Sequence, residues 1–302
     1  MIKHLGLKAY GKINLGLDVL GRREDGYHEV RMLMQSVGLY DKIDLYWKRT
    51  PGIELETNLF YLPVNENNLV YKAAKLLMEE FHINDGLSIR LKKFIPVSAG
   101  MAGGSSDAAA VLFGVNKMFN LGLSMKELME RGVKIGADVP YCIMRGTALS
   151  EGIGEILTPL PPVPQCQILI AKPGISVSTK FVYEHLDATN LSPADHPDID
   201  AIIDAIKSHD IYGIADNLGN VLEKVTIPEY PVIAEIKNKM IQLGALNSLM
   251  SGSGPTVFGI FTNPRAAENA YEELRYGSSK KLAKQVYLTN FYNTKEVTRH
   301  GK

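Results

Sequence analysis

Between Pro96 and Ser106 the chain reads Pro-Val-Ser-Ala-Gly-Met-Ala-Gly-Gly-Ser-Ser, and Asp107-Ala108-Ala109-Ala110 carry it into an apolar helical pattern. Just before it, Leu87, Ile89 and Leu91 alternate with Ser88, Arg90 and Lys92. The order is therefore strand, small-residue loop and helix start. The first turn of a helix has unpaired N–H groups and a partial positive charge, and both favour an anion. Glycines let main chain approach an anion closely, so a Cβ at Gly103 is expected to stand where a phosphate lies. Ser105 and Ser106 add hydroxyls for a phosphate oxygen or Mg2+. No Gly-Lys-Ser/Thr ends the loop and no Gly-x-Gly-x-x-Gly opens it, which excludes the two commonest nucleotide loops. Taken alone, the stretch also fits a plain turn with serine caps.

The remaining periodicities predict a mixed chain. Leu5, Leu7 and Ala9, then Ile13, Leu15, Leu17 and Val19, alternate with other residues, giving strands with a turn near Gly11 or an early crossing. Further strands are expected at 29–37, 43–48, 53–57, 87–93, 168–171, 249–251, 256–261 and 285–289. Leu69, Ala73, Leu76, Leu77 and Phe81 share a helical face, as do Ala108, Leu112, Val115 and Phe119. Ser124 and Glu127 form a capping box opening a helix to Ile135. Helices are also expected at 179–185, 199–207, 232–243 and 265–274. Four prolines in 159–164 mark a boundary, dividing the chain into 1–160 and 161–302. Strand runs mixed with helix runs make this an α+β chain with a cleft between its two parts.

Composition narrows the partners. The 302 residues carry 33 basic and 33 acidic side chains, and this zero balance disfavours a nucleic-acid partner. No apolar run is long enough for a membrane span, and the first ten residues lack a signal-peptide pattern. Cys142 and Cys166 have no metal-ligand spacing and read as buried thiols. The expectation is a cytoplasmic enzyme, either a monomer or a weak homodimer.

The loop Pro96–Ser106 resembles the phosphate loop of the GHMP kinase family, with Met101 where the family pattern has Leu. Ala9-Tyr10-Gly11-Lys12-Ile13-Asn14-Leu15 resembles that family's N-terminal signature. Ser251-Gly252-Ser253-Gly254-Pro255-Thr256-Val257-Phe258 resembles its C-terminal glycine-serine motif. Three motifs in order cover most of the chain. The resemblance implies a ribosomal-S5-like N-terminal domain, a ferredoxin-like C-terminal domain, an active site between them and ATP-dependent phosphorylation of an alcohol.

It also implies roles. Pro96, Val97, Ser98, Ala99, Gly100, Met101, Ala102, Gly103, Gly104, Ser105 and Ser106 would hold ATP, with Asn68 and Lys93 lining the nucleotide pocket. Mg2+ would accompany the triphosphate, its protein ligands unassigned. Lys12 and Asn14 lie two apart on a strand and project together, with Gly11 and Gly16 leaving open space beside the lysine. Asp138, in Gly136-Ala137-Asp138-Val139-Pro140, reads by itself as a turn residue before an extended Val139. The resemblance makes Asp138 the general base and Lys12 its catalytic partner. Asp25-Gly26-Tyr27-His28 resembles the segment of a branch of the family that acts on a cytidyl diphosphate. Tyr27, His28, Thr179 and Tyr183 would then bind that substrate together with Asn14, Gly252 and Ser253, the two tyrosines clamping the base. Another alcohol of the family, such as mevalonate or homoserine, stays open as an alternative, and so does a non-catalytic RNA-associated protein on an S5-like fold.

Overall fold

The computed structural model describes residues 2–188 and 190–293; the extreme ends of the two expected segments, Met1 and 294–302, lie outside these. The first strand, β1 (His4–Arg22), pairs antiparallel with β2 (His28–Lys48) along almost its whole length. Then come β3 (Gly52–Thr57), α1 (Leu69–Glu80), β4 (Gly86–Lys92) and α2 (Gly103–Phe119). The helices α3 (Met125–Val133) and α4 (Val139–Met144) precede the strands β5 (Thr147–Glu151) and β6 (Ile156–Pro159). Past the proline-rich stretch lie β7 (Gln167–Lys172), α5 (Thr179–His185), α6 (Ile199–Lys207) and α7 (Ile211–Asp216). The chain continues with β8 (Gly219–Asn220), α8 (Glu223–Glu229), α9 (Val232–Gln242) and β9 (Asn247–Met250). It closes with β10 (Val257–Phe261), α10 (Pro264–Arg275) and β11 (Gln285–Asn290). Among the described residues, no helix is long and apolar enough to cross a membrane.

Two sheets result. The larger runs β3-β4-β2-β1-β8, with β5 on another part of β2 and β6 on β5. The smaller is a four-stranded antiparallel sheet in the order β11-β7-β10-β9, covered by α9 and α10. β8, from the later half of the chain, lies parallel to β1 beside Gly16 and Leu17 and so ties the halves together.

The turn expected near Gly11 does not form. Instead β1 runs through and absorbs irregularities at Tyr10/Lys12, Asn14/Gly16 and Val19/Gly21. Each such bulge adds a residue to one strand and changes which face the next side chains meet. The consequence is visible in the core. Ala9, Leu17 and Val19 belong to one buried cluster, while Ile13 and Leu15, on the same odd-numbered positions, belong to the other. Two bulges thus turn Lys12 and Asn14 over together. Gly16 does not leave open space beside Lys12: a Cβ there would lie 2.6 Å from Ile199 Cδ1 and 2.9 Å from Ile202 Cδ1. It is a close-packing position that lets α6 lie against the strand.

Candidate active site

Lys12, the phosphate loop, Asp138 and the aromatic residues Tyr27, His28 and Tyr183 all line one cavity of about 1320 Å3. Ligand pockets commonly run to roughly 300–1,000 Å3, so this one has room for two substrates.

The loop is shaped by its backbone. Ser98, Gly100 and Ala102 take positive φ values of 50°, 70° and 52°, each separated by a residue that does not. Alternation of this kind folds successive N–H groups inward around an anion. Ala102 caps α2 without a side-chain hydrogen bond, so the cap residue does not use the first N–H groups of the helix. Gly100 is where the loop meets the C-terminal glycine-serine motif. Ser251 Oγ donates to the Gly100 carbonyl at 2.9 Å, and a Cβ at Gly100 would lie 2.0 Å from the Ser251 carbonyl oxygen. Asn220 braces the same motif, its Nδ2 donating to the carbonyls of Met250 and Gly252 at 2.8 Å each.

Of the loop residues, Pro96, Val97, Ser98, Ala99, Gly100, Ala102, Gly103, Gly104 and Ser105 reach the cavity wall. Met101 and Ser106 do not. The Met101 side chain is buried in the core, and its carbonyl accepts the Lys12 backbone N–H at 3.1 Å. Ser106 turns its hydroxyl to the Tyr10 carbonyl. Ser105 is therefore the hydroxyl of this pair on the cavity side. A Cβ at Gly103 would point inward, 3.1 Å from Ile95 Cγ2 and 3.2 Å from Lys93 Nζ, rather than only into phosphate space.

Lys12 is 5% exposed and donates from Nζ to Asn14 Oδ1 at 2.6 Å. Asn14 is fully buried and off the cavity wall; its Nδ2 lies 3.6 Å from Met32 Sδ. Its hydrogen bond fixes the direction of the Lys12 side chain. Asp138 occupies the N-cap position of α4 but makes no capping bond, so its carboxylate is not spent on the helix. Val139 is not extended as its proline neighbour suggested. It opens α4 with Pro140 next to it, since the first turn of a helix tolerates proline. Lys12 and Asp138 both act electrostatically on the buried Cys142 thiol, which burial pushes up first and the carboxylate second.

Lys93 and Asn68 line the cavity, with partners of their own. Asn68 caps α1, accepting from Val70 N at 3.0 Å and donating to the Pro63 carbonyl at 2.8 Å. Lys93 Nζ is buried between Asp41 and Asp107, at 2.6 Å from Asp107 Oδ2. Burial opposes the lysine charge, but the two carboxylates outweigh it and hold its pKa above the ordinary value. Burial likewise pushes the Asp107 carboxyl well up, against the pull of Lys93. Asp41 also accepts from the backbone of Phe94 and Ile95 and so fixes the entry into the loop. Asp41 and Asp107 were not expected at the site. Asp107 had a sequence signal, a lone charge in an alanine-rich helix turn, whereas Asp41 stands in a strand beside Lys42 and Asp44 and had none.

At the aromatic part of the wall, His28 and Tyr183 approach with ring centroids 5.2 Å apart. Burial lowers the His28 pKa, with the Arg22 charge adding to it, which leaves a neutral imidazole at pH 7. Tyr183 is raised by burial and then by Asp138. Tyr27 is 61% exposed on the turn between β1 and β2. No ring contact joins Tyr27 to Tyr183 among the described residues. Thr179 at the start of α5 and Ser253 share a hydroxyl contact of 2.8 Å, and Gly252 lies beside them on the wall.

Two family models match, GHMP kinases N terminal domain over residues 68–146 and GHMP kinases C terminal over 197–279. The chain belongs to the GHMP kinase family. It is 58% identical over 291 residues to 4-diphosphocytidyl-2-C-methyl-D-erythritol kinase of Lachnospira eligens, covering 96% of this chain and 99% of that one. The enzyme of the same name from Lachnoclostridium phytofermentans is 55% identical over 293 residues, covering 97% and 99%. A crystal structure of 4-(cytidine 5'-diphospho)-2C-methyl-D-erythritol kinase superposes with a TM-score of 0.80 at 31% identity, over 96% of this chain and all of that one. Homoserine kinase from Cytophaga hutchinsonii has a TM-score of 0.77 at 19% identity over 96% and 95%, a likeness of fold alone. The two-domain α+β architecture read from the motifs is the family's, and the chain is an ATP-dependent kinase of small molecules.

Proposed function

We propose that this kinase transfers the γ-phosphoryl group of ATP to the 2-hydroxyl of 4-diphosphocytidyl-2-C-methyl-D-erythritol, a step of non-mevalonate isoprenoid precursor synthesis. The observation that carries the reading is that one cavity is lined by the glycine-rich loop at the start of α2, by Lys12, by an Asp138 that makes no capping bond, and by Tyr27, His28 and Tyr183, with Asn14 behind the wall holding Lys12. Phosphoryl transfer asks a protein mainly for positioning and for stabilising charge. The inward N–H groups of residues 98–105 hold the triphosphate. Asp138 accepts the proton of the acceptor hydroxyl. Lys12, held by Asn14, orients that hydroxyl and offsets the negative charge that develops as the phosphoryl moves.

Tyr27, His28 and Tyr183 take the cytosine ring, while Thr179, Gly252 and Ser253 border the rest of the substrate. Mg2+ neutralises triphosphate charge when bound. It is usually held by phosphates, waters and one or two protein oxygens, and Ser105 Oγ on the cavity side of α2 fits such a role. Among the described residues there is no cluster of three or more His, Cys, Asp or Glu to form a separate metal cage. The protein works as a monomer or weak homodimer in the cytoplasm. A panel of acceptors tests the assignment: ATP consumption should be stimulated by the cytidyl substrate and not by mevalonate or homoserine. Equal stimulation by another alcohol would remove the cytidyl assignment while leaving the kinase.

A further inference from the structure

Lys12 lies on β1 and Asp138 at the start of α4, so the geometry of the pair depends on how that helix is held to the sheet. Asn14 fixes the direction of the Lys12 side chain. Asp138 has no such guide. It makes no capping bond, and no hydrogen bond or ion pair engages its carboxylate among the described residues. Its position therefore follows from that of α4. With six residues, Val139–Met144, this helix is far below the roughly 12–15 that an isolated helix needs, so its contacts must fix it.

Tyr141, three residues after Asp138 and 1% exposed, supplies a polar tie. Its hydroxyl donates to the Gly146 carbonyl at 2.7 Å and lies 3.0 Å from Ser36 Oγ. Ser36 Oγ also accepts the Gly146 N–H at 3.1 Å, which closes a ring of three groups. With its own proton given to the carbonyl, the phenol takes Ser36 as a donor. Burial pushes the phenol well above its ordinary pKa, so that proton stays in place at neutral pH. In the pairing of β1 with β2, Ser36 stands directly opposite Lys12. The ring thus joins the helix that carries Asp138 to the residue across the ladder from Lys12. Between α4 and β5 the chain turns at Arg145, with φ of 63° and ψ of −178°. Side chains rarely adopt that conformation, and it persists only where the surroundings hold it.

We infer that Tyr141 is a positioning residue: through Ser36 and Gly146 its hydroxyl sets where Asp138 stands relative to Lys12, and so the reach of the base to the acceptor hydroxyl. Packing of the ring keeps α4 near its place. The hydrogen bonds hold it to the tolerance of proton transfer, which needs about 2.6–3.2 Å between heavy atoms. The inference rests on Asp138 as base and Lys12 as its partner, as the proposed function has it.

Tyr141→Phe keeps the ring and removes the hydroxyl. The variant should fold, because the Gly146 carbonyl still accepts the Ser36 N–H at 3.0 Å and Ser36 Oγ still accepts the Gly146 N–H. Its kcat should fall on the order of 10-fold, short of the roughly 100-fold that a full 1 Å misplacement can cost. KM for ATP and for the cytidyl substrate should stay nearly unchanged. Thr147→Val is the comparison for general loosening. It removes the buried 2.6 Å bond to Gln35 Oε1, beside Ser36 and outside α4, and should lower the melting temperature while leaving kcat alone. Combination with Asp138→Asn shows through which group Tyr141 acts. If it acts through Asp138, adding Tyr141→Phe to Asp138→Asn should lower kcat no further. A further loss of the same size in the double variant would overturn the inference. So would an undiminished kcat in Tyr141→Phe, or an equal loss in Thr147→Val. Wild-type turnover in Asp138→Asn alone would be a different failure: it would remove the base assignment of the proposed function, and this inference with it.

Discussion

Gly100→Ala perturbs the contact on which the anion cradle depends. At φ = 70° an alanine sits in the left-handed region, which costs about 1–2 kcal/mol. Its Cβ would lie 2.0 Å from the Ser251 carbonyl oxygen, whereas ordinary contact begins at 3.4 Å. The phosphate loop and the C-terminal motif must therefore part by about 1.4 Å, and the Ser251 Oγ to Gly100 hydrogen bond, worth about 1 kcal/mol, is lost. A destabilisation of about 2–3 kcal/mol follows, to be read by thermal or urea unfolding. The functional effect should be larger. A displacement of about 1 Å in a positioning group can cost on the order of 100-fold in rate, and the moved atoms include the N–H groups proposed to hold the triphosphate. Gly122→Ala supplies the control. It too has positive φ, at 75°, but its Cβ would meet nothing within 4 Å and it does not line the cavity. That variant should show the conformational cost alone, with ATP affinity and kcat unchanged. If Gly100→Ala matched Gly122→Ala in ATP affinity and kcat, the loop would not be the cradle and the reasoning would fail.

Other substitutions address other parts of the site. Asp138→Asn keeps the shape and removes the proton acceptor, so kcat should fall by roughly 10²–10⁴-fold with ATP binding retained; near wild-type turnover would take Asp138 out of the mechanism. Tyr183→Ala should raise KM for the cytidyl substrate by about 5- to 150-fold, the worth of one stacked base, and leave KM for ATP alone. Loss of thermal stability without that selectivity would make the ring a packing residue. Gly103→Val should unfold the protein more readily than it weakens ATP binding, because its branches meet Ile95 and Lys93; a normal melting temperature would contradict the inward geometry. The folded-state pKa of His28 is lowered, so below about pH 6.5 the unfolded chain binds more protons and stability falls as pH drops. Relative to His28→Gln, the wild type should therefore lose melting temperature between pH 7 and 5, and a constant difference would refute the assignment.

Much of this was legible in the chain because local rules agreed with the fold. The α6 boundaries follow from isoleucine spacing, and the Ser124–Glu127 capping box forms as its residue types require. Proline misled at Val139, which was expected extended before Pro140: Pro140 sits in the first turn of α4, where it removes no needed hydrogen bond. The bulges of β1 leave no mark on the sequence pattern, because the apolar residues from Leu5 to Val19 keep to odd-numbered positions while the faces reverse, and Gly11 alone suggested a turn. Only pairing with β2 along both sides of the irregularities keeps the strand whole. At the site, residues adjacent in sequence, such as the loop and Lys12 with Asn14, could be placed in advance. The Asp41–Lys93–Asp107 group could not, since Lys93 and Asp41 are 52 positions apart and meet only through the pairing of β2 with β4. The open space expected at Gly16 was mistaken for the same reason, since what fills that position is α6, far along the chain, while Lys12 itself does face the cavity.

The central claim is that this cavity joins ATP to one particular hydroxyl, and a single NMR measurement bears on it most directly. Incubation of the protein with ATP, Mg2+ and 4-diphosphocytidyl-2-C-methyl-D-erythritol should give one new phosphomonoester signal in the 31P spectrum. Its phosphorus–carbon couplings should fall on C2 of the erythritol and its neighbours, with ADP formed in equal amount. A phosphate coupled to a different carbinol carbon, or ADP formed with no phosphorylated acceptor, would contradict the account.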